Sequence, residues 1–139
     1  MTTIKTQRAL KENLSMVKKA LPSEDVLVYE FQTADGVDCA IVYADGIVNK
    51  QLLGELVAIP LSHARLKDER DFLLSVQQTI RFPELKTAEK LDECVKEILD
   101  GNSSLFVDGI ETAFIMGEFV PLTEIPGRRI DQWQKKHLK

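Results

Sequence analysis

Histidine and cysteine are nearly missing from this chain, with two of each in 139 residues. His63 falls in a connector and His137 in an aperiodic stretch, and neither has a serine or cysteine partner that the sequence identifies. The nucleophile–base pairing that hydrolytic or transfer chemistry requires therefore has no visible foundation. Cys39 and Cys94 lie far apart, each inside an apolar pattern. They read as two small buried hydrophobes in a reducing compartment, not as a disulfide. Neither Cys-x-x-Cys nor His-x-x-x-His spacing occurs, which leaves no metal-ligand pattern. Glycine is sparse too: the seven present are scattered singly at turns and caps, whereas a phosphate-cradling loop needs several opening a helix. No apolar run approaches the ~18 residues of a membrane span, and the first residues lead into an amphipathic pattern instead of a signal-peptide core. Positive charge is not in excess; the net charge of −4 argues against general nucleic-acid binding, which needs a basic footprint. These absences lead us to expect a soluble chain with no catalytic residue, no metal, no cofactor and no nucleic-acid partner.

What is present is ordinary for a globular protein: 44% hydrophobic and 29% charged residues, in a length that suits one domain. Residues 4 to 21 carry a helical stripe of Leu10, Leu14, Val17 and Leu21, with Ile4 upstream and Pro22 ending it. The opposite face holds Lys5, Arg8, Lys11, Lys18 and Lys19, either a solvated surface or a face for anionic membranes. Val26–Phe31 reads as a strand, Thr33–Gly36 as a turn, and residues 37–43 as the antiparallel return strand. Because Val37, Cys39, Ile41 and Tyr43 alternate with Ala40 and Val42, both faces of that strand are apolar, which places it centrally. Asn49 is expected to cap a helix with Leu52, Leu53, Leu56 and Val57 as its apolar face and Pro60 as its stop. Gly54 inside it is tolerable if another backbone packs closely there. A helix over 68–78 follows, then a short edge strand over 80–86 containing Pro83. Thr87 is expected to cap a helix whose stripe is Ala88, Leu91, Cys94, Val95, Ile98 and Leu99, with Gly101 as its left-handed cap. A second strand pair, 103–107 and 112–116, turns at Asp108-Gly109. The order α-ββ-αα-(β)-α-ββ predicts an α/β (α+β) fold: a mixed sheet of four to five strands from two hairpin-like pairs, packed with about four helices. Residues 1–117 form the expected domain, and 118–139 a basic, Pro/Gly-broken and poorly ordered tail.

The two Asp-Gly pairs allow two readings. Asp45 and Asp108 would ring a polar site at the strand ends, where open sheets bind ligands, or they are simply what tight turns require.

The segment DCAIVYADGIVNKQLLGELVAIPL, with its Asp-Gly turn, short helix and Pro60-Leu61, resembles an early segment of the spore germination protein A-subunit family (GerA type). The later ILDGNSSLFVDGIETAFIM is similar to the family's helix-Gly-strand segment, and the helix around Asn13-Leu14 and the strand VLVYEF precede in the expected order. The resemblance runs from Leu10 to Met116. It implies a non-catalytic sensing or coupling domain of a nutrient germinant receptor A subunit, on the cytoplasmic, spore-core side of the spore inner membrane. Its implied partners are B- and C-type subunits and a small nutrient germinant, with membrane contact only through the rest of the subunit. Pro121-Leu122-Thr123-Glu124 echoes a stretch that in the family leads to a second subdomain, so the expectation is either a truncated first subdomain or a stand-alone relative. The residues that match the family pattern are Asp45, Gly46, Asn49, Asp108 and Gly109; they are turn builders first and ligand or partner candidates second. The alternative function class is an unrelated cytoplasmic α/β small-ligand protein or enzyme.

Overall fold

The computed structural model describes residues 4–45, 50–68, 70–80 and 85–117. The elements follow the expected order: α1 (Leu10–Ala20), β1 (Val26–Gln32), β2 (Asp38–Ala44), α2 (Lys50–Leu53), α3 (Ile59–Ser62), α4 (Phe72–Thr79), β3 (Leu85–Ala88), α5 (Leu91–Leu99), β4 (Ser103–Val107) and β5 (Ala113–Met116). A π-helical turn, Gly54–Ala58, joins α2 to α3 without a break. Four helical bodies thus pack on one five-stranded sheet in an α+β fold.

The strand order is β1-β2-β4-β5-β3, and every pairing among the described residues is antiparallel. The sheet is therefore antiparallel and not mixed. Each hairpin supplies an antiparallel pair, and the pairs join through β2 and β4, which run in opposite directions. β3 and β4 do run the same way, but β5 lies between them, so α5 bridges a split β-α-β unit.

The double apolar alternation of β2 explains its position. Cys39, Ile41 and Tyr43 face one layer, packed with Leu105, Val107, Phe114 and Met116 of the sheet and covered by Leu53, Val57, Leu61, Leu66 and Val76. Ala40 and Val42 face the other, packed with Phe106, Ala113 and Ile115 and covered by Leu10, Leu14 and Val17 of α1 and Leu91, Cys94 and Ile98 of α5. Helices on both faces make three layers with two cores.

Local chemistry sets the junctions. Gly36 takes φ 85° in the β1–β2 turn, a conformation costly for any residue with a Cβ. The Thr33 hydroxyl closes the loop by accepting from the Val37 amide at 3.0 Å. Asp35 then ties that turn to the segment after α3, accepting from the Leu66 and Lys67 amides at 3.2 and 2.6 Å. The Thr33 hydroxyl, which donates to Asp35, and these amides hold its carboxyl below the usual carboxylate range. Gly101, at φ 96°, ends α5 as a left-handed cap.

Several expectations fail for tertiary reasons. The first helix begins at Leu10 and not near residue 4. Ile4 is 46% exposed, and the segment before Leu10 is a strap: the Ile4 carbonyl accepts from the Leu91 amide at 2.8 Å, and Lys5 bridges Lys90. Pro60 does not stop the second helix, which runs on to Ser62. An interior proline conflicts with the carbonyl four residues back, and here the turn before it is π-helical, with the Ile59 amide reaching the Gly54 carbonyl. Gly54 has no other atom within 4 Å of where a Cβ would stand, so close backbone packing is not its reason. Thr87 and Ala88 lie in β3, paired with Phe114 and Ala113, instead of starting the next helix. That strand is an edge, as expected, but spans Leu85–Ala88. Pro83 and the tail 118–139 lie outside the described residues.

Candidate functional site

The Asp108-Gly109 turn is where distant parts of the chain converge. The Ile110 amide donates to the Val107 carbonyl at 3.2 Å, closing a β-turn with Gly109 at φ 93°. This is not a tight two-residue hairpin, because β4 ends at Val107 and β5 begins only at Ala113; the Asp108 amide donates to the Asp38 carbonyl at 2.9 Å. The Gly109 amide donates to the Arg8 carbonyl at 2.8 Å. The Asp108 carboxylate accepts from the Leu10 amide at 2.9 Å.

That last bond is a helix cap supplied from 98 residues away. The cap position of α1 is Ala9, extended at φ −80° and ψ 121°, with no side-chain oxygen to offer. The first amides of a helix lack intrahelical acceptors and carry the positive end of its dipole. Asp108 meets both needs with one carboxylate. Asn13 secures the same junction from inside α1: its side chain accepts from the Gln7 amide and donates to the Gln7 carbonyl, both at 2.7 Å. The Thr6 hydroxyl, also buried, has the Glu89 and Glu111 carbonyls as partners. Sequence reasoning missed Asn13 as an anchor; the available signal was a polar residue placed within the Leu10–Leu14–Val17 stripe.

Beside this junction runs a groove of about 440 Å³ between α1 and the β1–β2 hairpin. Its mouth carries Glu30, Asp38 and Asp108 against Lys11, a local excess of negative charge. Asp38 accepts from the Gln32 side chain at 2.7 Å. Cys39 lines the groove but is 1% exposed. Burial, reinforced by the charges of Asp38 and Asp108, pushes its thiol up to about 12. Cys94 is likewise pushed up to about 12 by burial. Neither offers a thiolate at neutral pH.

Asp45 is somewhere else. It follows β2 at the end opposite Asp38, and seven residues at about 3.3 Å each put it about 23 Å from the Asp108 turn. Its amide donates to the Asp25 carbonyl at 2.6 Å, and its carboxylate lies 3.5 Å from the Lys50 ammonium, both side chains half exposed. Gly46 and Asn49 lie outside the described residues. The two Asp-Gly turns therefore do not ring one polar site. His63 sits exposed in the turn after α3, its Nδ1 2.9 Å from the Ile59 carbonyl. The Ser62 hydroxyl donates to the same carbonyl at 2.7 Å, which makes the pair a helix end rather than a nucleophile and base. Among the described residues no three His, Cys, Asp or Glu side chains gather to hold a metal. No helix among them is long and apolar enough to cross a membrane.

The sequence matches the family described as Bacillus/Clostridium GerA spore germination protein over residues 10–136. The chain belongs to this GerA family. It is 25% identical over 111 residues to spore germination protein KA of Bacillus subtilis (strain 168), covering 77% of this chain and 20% of that protein. The GerA chain thus spans a fifth of the length of that curated relative. Its fold is that of the N-terminal domain of the A subunit of the Bacillus megaterium spore germinant receptor GerK3. The crystal structure of that domain aligns with a TM-score of 0.63 at 21% identity, over 85% of this chain and 99% of the other.

Proposed function

We propose that this chain serves as the N-terminal soluble domain of a germinant-receptor A subunit, a non-catalytic module that senses a nutrient germinant or couples its binding to the other subunits. The observation that carries the reading is the family match over residues 10–136, joined to a fold shared across 99% of a solved A-subunit N-terminal domain. In this reading the domain faces the spore core beneath the inner membrane and contacts B- and C-type subunits and a small nutrient germinant. Asp45 and the Asp108-Gly109 turn act as separate contact patches at opposite ends of the sheet. Asp108 is already engaged in capping α1, which supports a role in presenting that surface ahead of direct ligand binding.

The test is co-purification from spores. An affinity-tagged copy, recovered from detergent-solubilised spore membranes, is expected to bring B- and C-type receptor subunits with it. Recovery of the tagged chain free of every receptor subunit would refute the proposal.

A further inference from the structure

Strand β1 lies at the edge of the sheet with little of what usually protects an edge. Natural sheets blunt such strands with proline, bulges or several charges. The run Val26–Gln32 has no proline and a single charge, Glu30. Its register with β2 runs from Val26↔Ala44 to Gln32↔Asp38 without a bulge. In the order β1-β2-β4-β5-β3, no strand among the described residues pairs with its outer side.

Two hydrogen bonds at the ends of the β1–β2 ladder fix what that side offers. The Thr33 amide donates to the Val37 carbonyl at 3.0 Å, and the Asp45 amide to the Asp25 carbonyl at 2.6 Å. Bonded and non-bonded pairs alternate along an antiparallel ladder. Leu27, Tyr29 and Phe31 therefore turn their amides and carbonyls toward β2, while Val28, Glu30 and Gln32 turn theirs outward. Side chains alternate in the same rhythm: Leu27 and Phe31 pack on the core beneath α2, α3 and α4, and Val26 and Val28 on the core beneath α1 and α5. Tyr29, on the first of these faces, is 44% exposed, with its ring centroid 5.7 Å from that of Phe31.

We infer that this edge pairs with the same edge of a second copy of the chain, antiparallel, about a two-fold axis at Tyr29. The two sheets then continue into one another. Full overlap sets Val28 opposite Glu30 and Val26 opposite Gln32, so outward groups meet outward groups. Charge selects the same register. Sliding the strands by two residues in one direction sets Glu30 against Glu30, a like-charge pair that destabilises a sheet; sliding in the other leaves Phe31 and Gln32 without a partner. In full overlap the two Tyr29 side chains form a non-bonded cross-strand pair and cover each other's exposed rings. The occupant is a second copy because β1 itself supplies the matching register, charge and aromatic contact. One seven-residue strand per copy falls short of the roughly 20–30 residues a side of a standard interface, so the dimer assembles and dissociates with concentration.

Sedimentation velocity of the 139-residue protein reads this directly. From micromolar to millimolar concentration the mass is expected to climb from that of one chain toward that of two. Glu30→Pro removes an outward N–H at an exposed position and leaves the ladder with β2 intact. The two-fold axis doubles the loss, and dimerisation should weaken about tenfold. Tyr29→Cys tests the register, since Cα atoms of a non-bonded antiparallel pair lie about 4.5 Å apart, within disulfide reach. A mild oxidant should convert that variant to a covalent dimer much faster than Gln32→Cys, whose counterpart lies six positions out of register. Cys39 and Cys94 are buried and do not compete. The mass of a single chain at millimolar concentration overturns the inference. So does assembly beyond two copies, a dimer that folded Glu30→Pro leaves at full strength, or equal crosslinking of the two cysteine variants. If Glu30→Pro does not fold, the crosslinking comparison decides. None of these readouts involves another receptor subunit, so their outcome is independent of the co-purification from spores.

Discussion

Replacing Asp108 by alanine removes one carboxylate and, with it, the cap of a helix that begins 98 residues earlier. The magnitude follows from what the Leu10 amide loses. A side-chain cap is worth about 1 kcal/mol, within a range of about 0.5–2. The charge at the helix N-terminus adds about 0.3–1 kcal/mol at an exposed site such as this one. Ala9 has no oxygen to substitute, so water is the only replacement acceptor. Asp108→Ala is therefore expected to cost about 1–2 kcal/mol, read in urea unfolding as a lower midpoint with an unchanged slope. Asp108→Asn keeps an acceptor and drops the charge, and should lie between wild type and alanine. The decisive arm is rescue: Ala9→Asp in the Asp108→Ala background places a cap on the helix's own extended cap residue and should restore most of the loss. The same Ala9→Asp change in the wild-type background should add a smaller increment, because a cap side chain reaches the Lys11 or Glu12 amide and not the Leu10 amide that Asp108 holds, while its charge meets that of Asp108. If Asp108→Ala unfolds at the wild-type midpoint, or if Ala9→Asp restores nothing, the capping argument is wrong.

Two further outcomes follow from local geometry. Gly54→Ala places a methyl group where no other atom lies within 4 Å in a helical segment, so it should stabilise the protein by roughly 0.5–1 kcal/mol in the same unfolding assay; a loss of stability would mean that the π-turn needs glycine. Cys39 and Cys94, whose thiols burial pushes up to about 12, should resist a disulfide-exchange reagent at pH 8 in the folded protein and react together once it is unfolded. Fast native labelling of either would show that its side of the sheet opens.

Much of the fold was legible because its signals are short. The β1–β2 hairpin needs a left-handed residue between two β-branched runs, and Gly36 supplies it within the span of the turn itself. The central place of β2 was readable from one heptapeptide, since apolar residues on both faces of a strand have to be covered on both faces. The α1 and α5 stripes were visible for the same reason: helical periodicity repeats within a few residues. Boundaries were less legible. Thr87 suits a helix cap as well as a strand, and only the empty edge beside β5 selects the strand. Pro60 should end a helix, yet a wider turn just before it lets the helix continue, and no neighbouring residue announces that turn.

The two Asp-Gly pairs were legible in the sequence as turn signals, but whether they share one site was not. Asp45 and Asp108 both precede turns, and each Asp-Gly pair is a local signal. Whether two such turns share one end of a sheet depends on strand order, and strand order depends on which edges meet after the helices have packed. β4 pairs with β2 so that Asp108 arrives beside Asp38, leaving Asp45 at the far end of the same strand.

The chain's own sequence determined its hairpins, its helical stripes, its central strand and its membership of the GerA family, because each rests on residue types at short spacing. Tertiary structure alone decided the antiparallel order β1-β2-β4-β5-β3, the strap from Ile4 to Ala9 and the second role of Asp108. A hydrogen bond between residues 98 positions apart leaves no periodicity in either neighbourhood. It exists only because packing brings an uncapped helix to a turn whose aspartate has a free oxygen facing it.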